Sequence, residues 1–200
     1  DALANFAVHV TETVLADGFR FPLFLRTDHT SGKHDWDRTC CVRMHEELAS
    51  HMFAIAEASE LMSMVGELPW DTWAVREMLP TIPYGTCPNY NHMPVCREFR
   101  VFVDGGEIIC LHPYWPKGAL EKGGIRLNSS DFHKLSTIRD TAEHQMVTDL
   151  ASRACAAIGG AWSVDILETE RGWFVTDMAE AHKSFHWPDC PQTERARRAK

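Results

Sequence analysis

Residues 2–17 place Leu3, Phe6, Ala7, Val10, Val14 and Leu15 at helical spacing, and Gly18 closes the run, so a scaffold helix is predicted there. Phe21–Arg26 is apolar and ends in arginine, which reads as a strand, and a polar loop follows over 27–36. After the short apolar run Cys40–Met44, a second helix is predicted over His45–Met64. It turns Leu48, Met52, Ile55, Ala56 and Ser59 inward, with Met52, Met62 and Met64 as core filler. Thr72–Leu79 reads as a strand stopped by Pro80, and 81–94 is irregular. Two apolar runs, 95–103 and 107–112, flank Asp104-Gly105-Gly106 and predict a hairpin. On its first strand Arg97, Phe99, Val101 and Val103 alternate with Glu98, Arg100 and Phe102. Residues 113–137 read as a long loop with short structure. A helix over Asp140–Ile158 follows, with Ala142, Met146, Leu150, Ala154 and Ile158 inward and Gly159-Gly160 as its stop.

The last patterned stretch organises the rest. Trp162–Leu167 and Trp173–Ala179 alternate around Glu-Thr-Glu-Arg-Gly, a second antiparallel hairpin. With a three-residue loop and Gly172 in the left-handed region, Thr169 pairs with Trp173 and Asp165 faces Asp177. Like charges paired across strands repel. Something positive is therefore expected between them, and a divalent cation held by oxygen ligands is the natural candidate. The plain alternative is a solvated face with incidental acids.

Composition narrows the classes. A chain of 200 residues with 44% hydrophobic content can bury a sizeable core, and a net charge of −8 argues against general affinity for nucleic acid or anionic membrane. No apolar run approaches the roughly 20 residues of a membrane span. The chain opens on Asp1 rather than Met, which reads as a trimmed piece of something longer. Seven cysteines, an odd count, fit a reducing cytoplasm better than a disulfide framework. Cys87, His92 and Cys96 are the one metal-like spacing, but they lack a fourth ligand and read as a reduced loop. His182 and His186 are four apart, yet Pro188 argues against a helical metal pair. Ser31-Gly32-Lys33 is no P-loop, because Thr27 and His34 stand where Gly and Ser or Thr are required. It leaves a flexible loop tipped by Lys33. From Gln192 the chain, with Arg195, Arg197, Arg198 and Lys200, reads as a solvated basic tail.

FPLFLRTDHTSGKHDW, TWAVREMLP, REFRVFVDGGEI and WSVDILETERGWFVTDMAEA, in that order, resemble the ATP-grasp superfamily over about 19–190. More narrowly the chain is similar to a small clade, frequent in phages, named for two arginines and a lysine. The resemblance implies an α+β fold with two lobes of mainly antiparallel sheets enclosing a nucleotide cleft: 1–78, 79–190 and a tail at 191–200. It implies ATP and Mg2+ as cofactors and an ADP-forming carboxylate–amine ligase that works through an acylphosphate. Its substrates are a carboxylate and an amine, with peptides and amino acids among the candidates, and its location is the cytoplasm, the host's if phage-encoded. By the same resemblance Arg26, Lys33 and Arg100 meet the phosphates and Asp165, Asp177 and Glu180 hold magnesium. Arg76, Glu77, Met78 and Leu79 face adenine, with Glu77 on the ribose, and Lys183 and His186 reach the acyl or leaving group. Lys183 is the rival to Lys33 for the clade's lysine.

Two departures matter. Met178 and Ala179 follow Asp177 where many relatives have an Asn two residues on. Relatives also carry an N-terminal domain that helps bind the acid substrate, and a chain beginning one helix before the first lobe would lack it. These departures keep open the alternative of a non-catalytic nucleotide-binding module, structural or regulatory, of a phage or bacterium. A lysine-nucleophile nucleic-acid ligase is disfavoured, since no lysine here precedes Asp-Gly.

Overall fold

In the computed structural model, which describes residues 2–65 and 70–198, the first predicted helix is α1 (Ala2–Ala16). The side chain of Leu3, and Lys200 of the tail, lie outside the described residues. Ala7 and Val14 are buried on α1, whereas Phe6 and Leu15 stay exposed. The arginine-ended strand is β1 (Leu23–Thr27), with Leu23, Leu25 and Thr27 buried and Phe24 and Arg26 on the opposite face. It lies between β2 (Cys41–Val42) and, past α2 (Leu48–Met64), β3 (Trp73–Glu77) in an antiparallel sheet of order β2-β1-β3. Leu48, Met52 and Ile55 of α2 pack on Leu23, Leu25 and Val42, and the Ser59 hydroxyl lies 3.1 Å from that of Thr27. Met52 is core filler as expected, but Met62 and Met64 are exposed.

The loop after β1 is tied down rather than flexible. Lys33–Arg38 is a 3-10 turn entered through Gly32 at φ 62°, a left-handed conformation that suits glycine. A Cβ on Gly32 would come within 2.9 Å of Thr39 Cβ, and the Thr39 hydroxyl donates to the carbonyls of Gly32 and Asp35.

The chain divides into two compact units, Asp1–Leu79 with Thr86–Met93, and Pro80–Gly85 with Pro94–Lys200. The stretch expected to be irregular contains a two-stranded hairpin, β4 (Pro83–Cys87) and β5 (Met93–Cys96). In the second unit β6 (Glu98–Asp104) and β7 (Glu107–Pro113) form the Gly105-Gly106 hairpin. α3 (Lys117–Lys122) and α4 (Ser129–Ser136) supply the short structure expected over 113–137. α5 (Thr141–Ile158) is capped by Asp140, whose carboxylate accepts from Glu143 N–H at 2.8 Å. β8 (Ala161–Thr169) and β9 (Gly172–Glu180) complete an antiparallel sheet of order β7-β6-β8-β9. The last element, α6 (Thr193–Arg198), corrects the solvated-tail expectation, because Ala196 is fully buried against a small cluster with Phe102, Ile109, Ala161 and Ala181.

α5 corrects the sequence reading in a second way. It buries Glu143, Val147, Ala151 and Cys155, one position on from the predicted stripe; of that stripe Leu150 and Ala154 are half-buried against the core, while Met146 and Ile158 are exposed. The cause is electrostatic. Arg97, just before β6, points into the α5 side of the sheet, only 2% exposed, and its Nη1 and Nη2 donate to the Glu143 carboxylate at 2.7 and 2.5 Å. Its Nε donates to Lys134 O at 2.9 Å, and its guanidinium stacks over Phe99 and Trp173. Turning α5 by one residue would strand that buried arginine without its acid, a cost of roughly 3–5 kcal/mol. The unit is thus α+β with antiparallel sheets, and no helix among the described residues is long and apolar enough to cross a membrane.

Candidate functional site

On the sheet of the second unit, Phe99, Val101, Val103, Val164 and Ile166 face α5 and form its core. The alternate residues face away and are polar at one level. The register sets His112 of β7 opposite Arg100 of β6, Arg100 opposite Asp165 of β8, and Asp165 opposite Asp177 of β9. One row of side chains therefore crosses all four strands. The facing acids match expectation, but by a different route. The loop holds two residues, so Thr169 pairs with Gly172 rather than Trp173, and a bulge between Asp165 and Ile166 restores the facing pair. The extra residue is Thr176, whose hydroxyl donates to Glu98 Oε1 at 3.0 Å and to Asp165 O at 3.2 Å.

The positive charge that the acids require is already present at Asp165. Arg100 Nε donates to Asp165 Oδ1 at 2.7 Å and Nη2 to Oδ2 at 2.9 Å, a bidentate pair with Asp165 only 3% exposed. Burial works against the Arg100 charge, but the Asp165 carboxylate outweighs it and the net pKa is raised. Arg100 Nη1 also reaches Phe185 O at 3.4 Å, and its guanidinium lies 5.1 Å over the Tyr114 ring. Asp177 Oδ1 accepts from Met178 N–H at 3.0 Å.

Glu180 does not join this group. It pairs with Trp162, and strand alternation puts it on the face opposite Asp177. Its carboxylate takes Lys183 Nζ at 2.5 Å, and that lysine holds its carboxyl below the usual range. The third acid on the face of Arg100 is Glu98, buried and bonded to Thr176. The pattern Glu98-Phe99-Arg100 showed it sharing a strand face with the arginine, and the bulge residue Thr176 ties it to β9.

In the first unit Arg26 and Arg76 share the sheet face away from α2. Arg26 pairs with Ala74 and donates from Nε to Thr27 O at 2.9 Å, and Arg76 sits opposite Phe24, 5.0 Å above its ring. Glu77 ends β3, exposed and opposite Leu23, with Met78 and Leu79 half-buried after it. Lys33 opens the 3-10 turn.

A second cluster was not expected. Cys110, His112, His186 and Cys190 bring one donor atom each within 4.8 Å of all the others. Cys110 and His112 project from one face of β7, and His186 and Cys190 come from the segment between β9 and α6. Cys110 Sγ lies 3.1 Å from His186 Nε2. His186 Nδ1 lies 3.1 Å from Trp187 O and 3.0 Å from Thr193 Oγ1. The carbonyl only accepts, so Nδ1 carries the proton and the Nε2 lone pair faces the cluster. The His112 ring stacks on Trp187 at 4.8 Å, and its Nε2 is buried without a hydrogen-bond partner. Burial, then His186, lowers the His112 pKa to about 4, and burial, then Cys190, raises the Cys110 thiol to about 12. Without an ion, both groups are therefore neutral.

The spacing singled out in the sequence does not gather. His92 turns outward at φ 65° to place Nδ1 2.8 Å from Asp37 Oδ2, and Cys96 is a buried thiol raised to about 12 by desolvation. The signal that existed was Cys-x-His on a strand and His-x3-Cys before a short helix, separated by most of the second unit. Comparison with models of known families gives no match, and comparison with curated proteins gives none either.

Proposed function

We propose that the chain is an ATP-dependent carboxylate–amine ligase of the ATP-grasp type, binding Mg-ATP and forming ADP. The observation that carries this reading is the acid pair Asp165 and Asp177, facing each other on neighbouring strands with Arg100 lodged against one of them. Mg2+ takes one or two carboxylates and fills its other positions with phosphate oxygens and water, so this donor set suits it. Arg100 uses one lone pair on each Asp165 oxygen, and each oxygen keeps another. Magnesium, when bound, neutralises charge on the phosphoryl oxygens.

Asp165 and Asp177 hold the ion, with Glu98 in place of Glu180 as the third acid of the face. Arg100 stays anchored by Asp165 and directs its remaining donors at phosphate. The roles that the resemblance gives to first-unit residues, Arg26 and Lys33 on phosphate and Arg76 to Leu79 on adenine with Glu77 on the ribose, rest on the sequence resemblance alone. Lys183 belongs to an ion pair with Glu180 and is left the lesser of the two lysines. The reaction passes the γ-phosphoryl group to a carboxylate, and an amine then displaces phosphate. The expected result is hydroxylamine-trappable acylphosphate and ADP release that both depend on one class of acid.

One observation favours a non-catalytic nucleotide-binding module instead. Ala179 shares the face of Asp177 and offers no ligand where a third is expected. Tight Mg-ATP binding without ADP formation across amino acids and short peptides would select that reading.

A further inference from the structure

Four side chains suited to one metal ion converge in the second unit at the His112 end of the row, on donors distinct from the two facing acids and independent of any nucleotide reading. We infer that Cys110, His112, His186 and Cys190 form a structural zinc site that clamps the segment between β9 and α6 onto β7. The donor set is two thiols and two imidazoles, the soft S2N2 combination that selects zinc over hard cations. An ideal tetrahedron with bond lengths of about 2.3 Å to sulfur and 2.0–2.1 Å to nitrogen separates its ligand atoms by about 3.3–3.8 Å. The four donors lie within 4.8 Å of one another, so small side-chain movements suffice. Four protein ligands leave no open position, which marks a structural rather than a catalytic centre.

The surroundings are built for an ion. His186 donates from Nδ1 to Trp187 O, the outer hydrogen bond by which ligating histidines fix the nitrogen that faces the metal. Gln192 N–H points at Cys190 Sγ from 3.4 Å, a donor suited to a thiolate. The loop carrying His186 and Cys190 is closed by Cys190 N–H to Trp187 O at 3.1 Å, and the Thr193 hydroxyl donates to Cys190 O at 2.7 Å. His112 is held between Trp187, Phe102 and His186, with Nε2 orphaned. A buried imidazole nitrogen without a partner costs stability, and a metal bond would satisfy it.

The clamp also has a consequence for the acid row. His112 stands opposite Arg100 in the sheet, and Phe185, beside His186, offers its carbonyl to Arg100 Nη1. The same ion that fixes the segment thus fixes one partner of the arginine bound to Asp165.

The test uses the full chain, purified without added metal and dialysed against metal-free buffer. Elemental analysis should find stoichiometric zinc that is lost in Cys110→Ser and Cys190→Ser and kept in Cys155→Ser, a thiol of the α5-side core. Chelator should lower the melting temperature by about 5–15 °C, and zinc should restore it. Should the ligand variants fail to fold, cobalt added to the metal-free wild-type chain decides alone. It should give the visible absorption of tetrahedral cobalt with thiolate ligands, bleached by zinc. A wild-type chain that binds neither zinc nor cobalt, carries iron instead, or joins Cys110 to Cys190 in a disulfide would overturn the assignment.

Discussion

Arg97 and Arg100 are three residues apart on or beside one strand, yet they do opposite work. Arg97 is saturated by Glu143, Lys134 O and two aromatic rings, a structural arginine turned toward α5. Arg100 is held by a single carboxylate within a polar row, between His112 and Asp165. Burial opposes the Glu143 charge, but Arg97 and Arg139 more than offset it and bring its pKa to about 2. Its folded pKa thus lies below the ordinary glutamate value of 4.5, so its contribution is complete above that pH and is lost as pH falls toward 2. Melting temperature against pH should drop over this window in the wild type, and Glu143→Gln should be less stable near neutrality with a flatter acid limb. At the other arginine, Arg100→Ala leaves Asp165 buried beside Asp177 and should cost roughly 3–5 kcal/mol. The double change with Asp165→Ala should cost less than the sum of the singles, as urea unfolding of the four proteins would show. Alternation along β6 made the two faces legible in the sequence. Which acid each arginine meets was not, because both partners come from elements distant in the chain.

The helices and hairpins show where pattern suffices. α1, β1, α2, β3, the Gly105-Gly106 hairpin, α5 and the acidic hairpin all lie where periodicity and turn residues put them. Two of the errors share a cause, namely polar groups that set phase or register from inside. α5 is turned one position because Glu143 answers Arg97, so Met146→Gln should change stability by under about 0.5 kcal/mol. Val147→Ala should cost roughly 1–3 kcal/mol. The opposite ranking in urea unfolding would restore the stripe that hydrophobicity alone suggests. In β8 and β9 the expected loop was one residue too long and an unforeseen bulge at Thr176 compensated, so the right pair of acids was reached through the wrong register. α6 was read as a frayed tail because Ala196 is its lone apolar residue, and what it packs on is fixed by the Cys/His segment before it.

Across the whole molecule, the order of parts was legible as two sheet-bearing units, each with its own core. The Cys/His cluster was not, because its halves come from opposite ends of the second unit and neither has an ordinary paired zinc spacing. The facing pair Asp165 and Asp177 was legible because it depends on one hairpin, whereas the pairing of Arg100 with Asp165 was not. On the proposed reading Asp165 and Asp177 are a magnesium-nucleotide site rather than an incidental pair of acids. Calorimetric titration of Mg-ATP into the wild type and Asp177→Asn, with melting temperatures of the free proteins, tests it most directly. A magnesium-nucleotide site gives saturable binding to the wild type, weakened about tenfold or more by the substitution, with little change in the melting temperature of the free protein. Equal affinity in the two proteins, with the variant melting higher because two facing charges no longer repel, would contradict it.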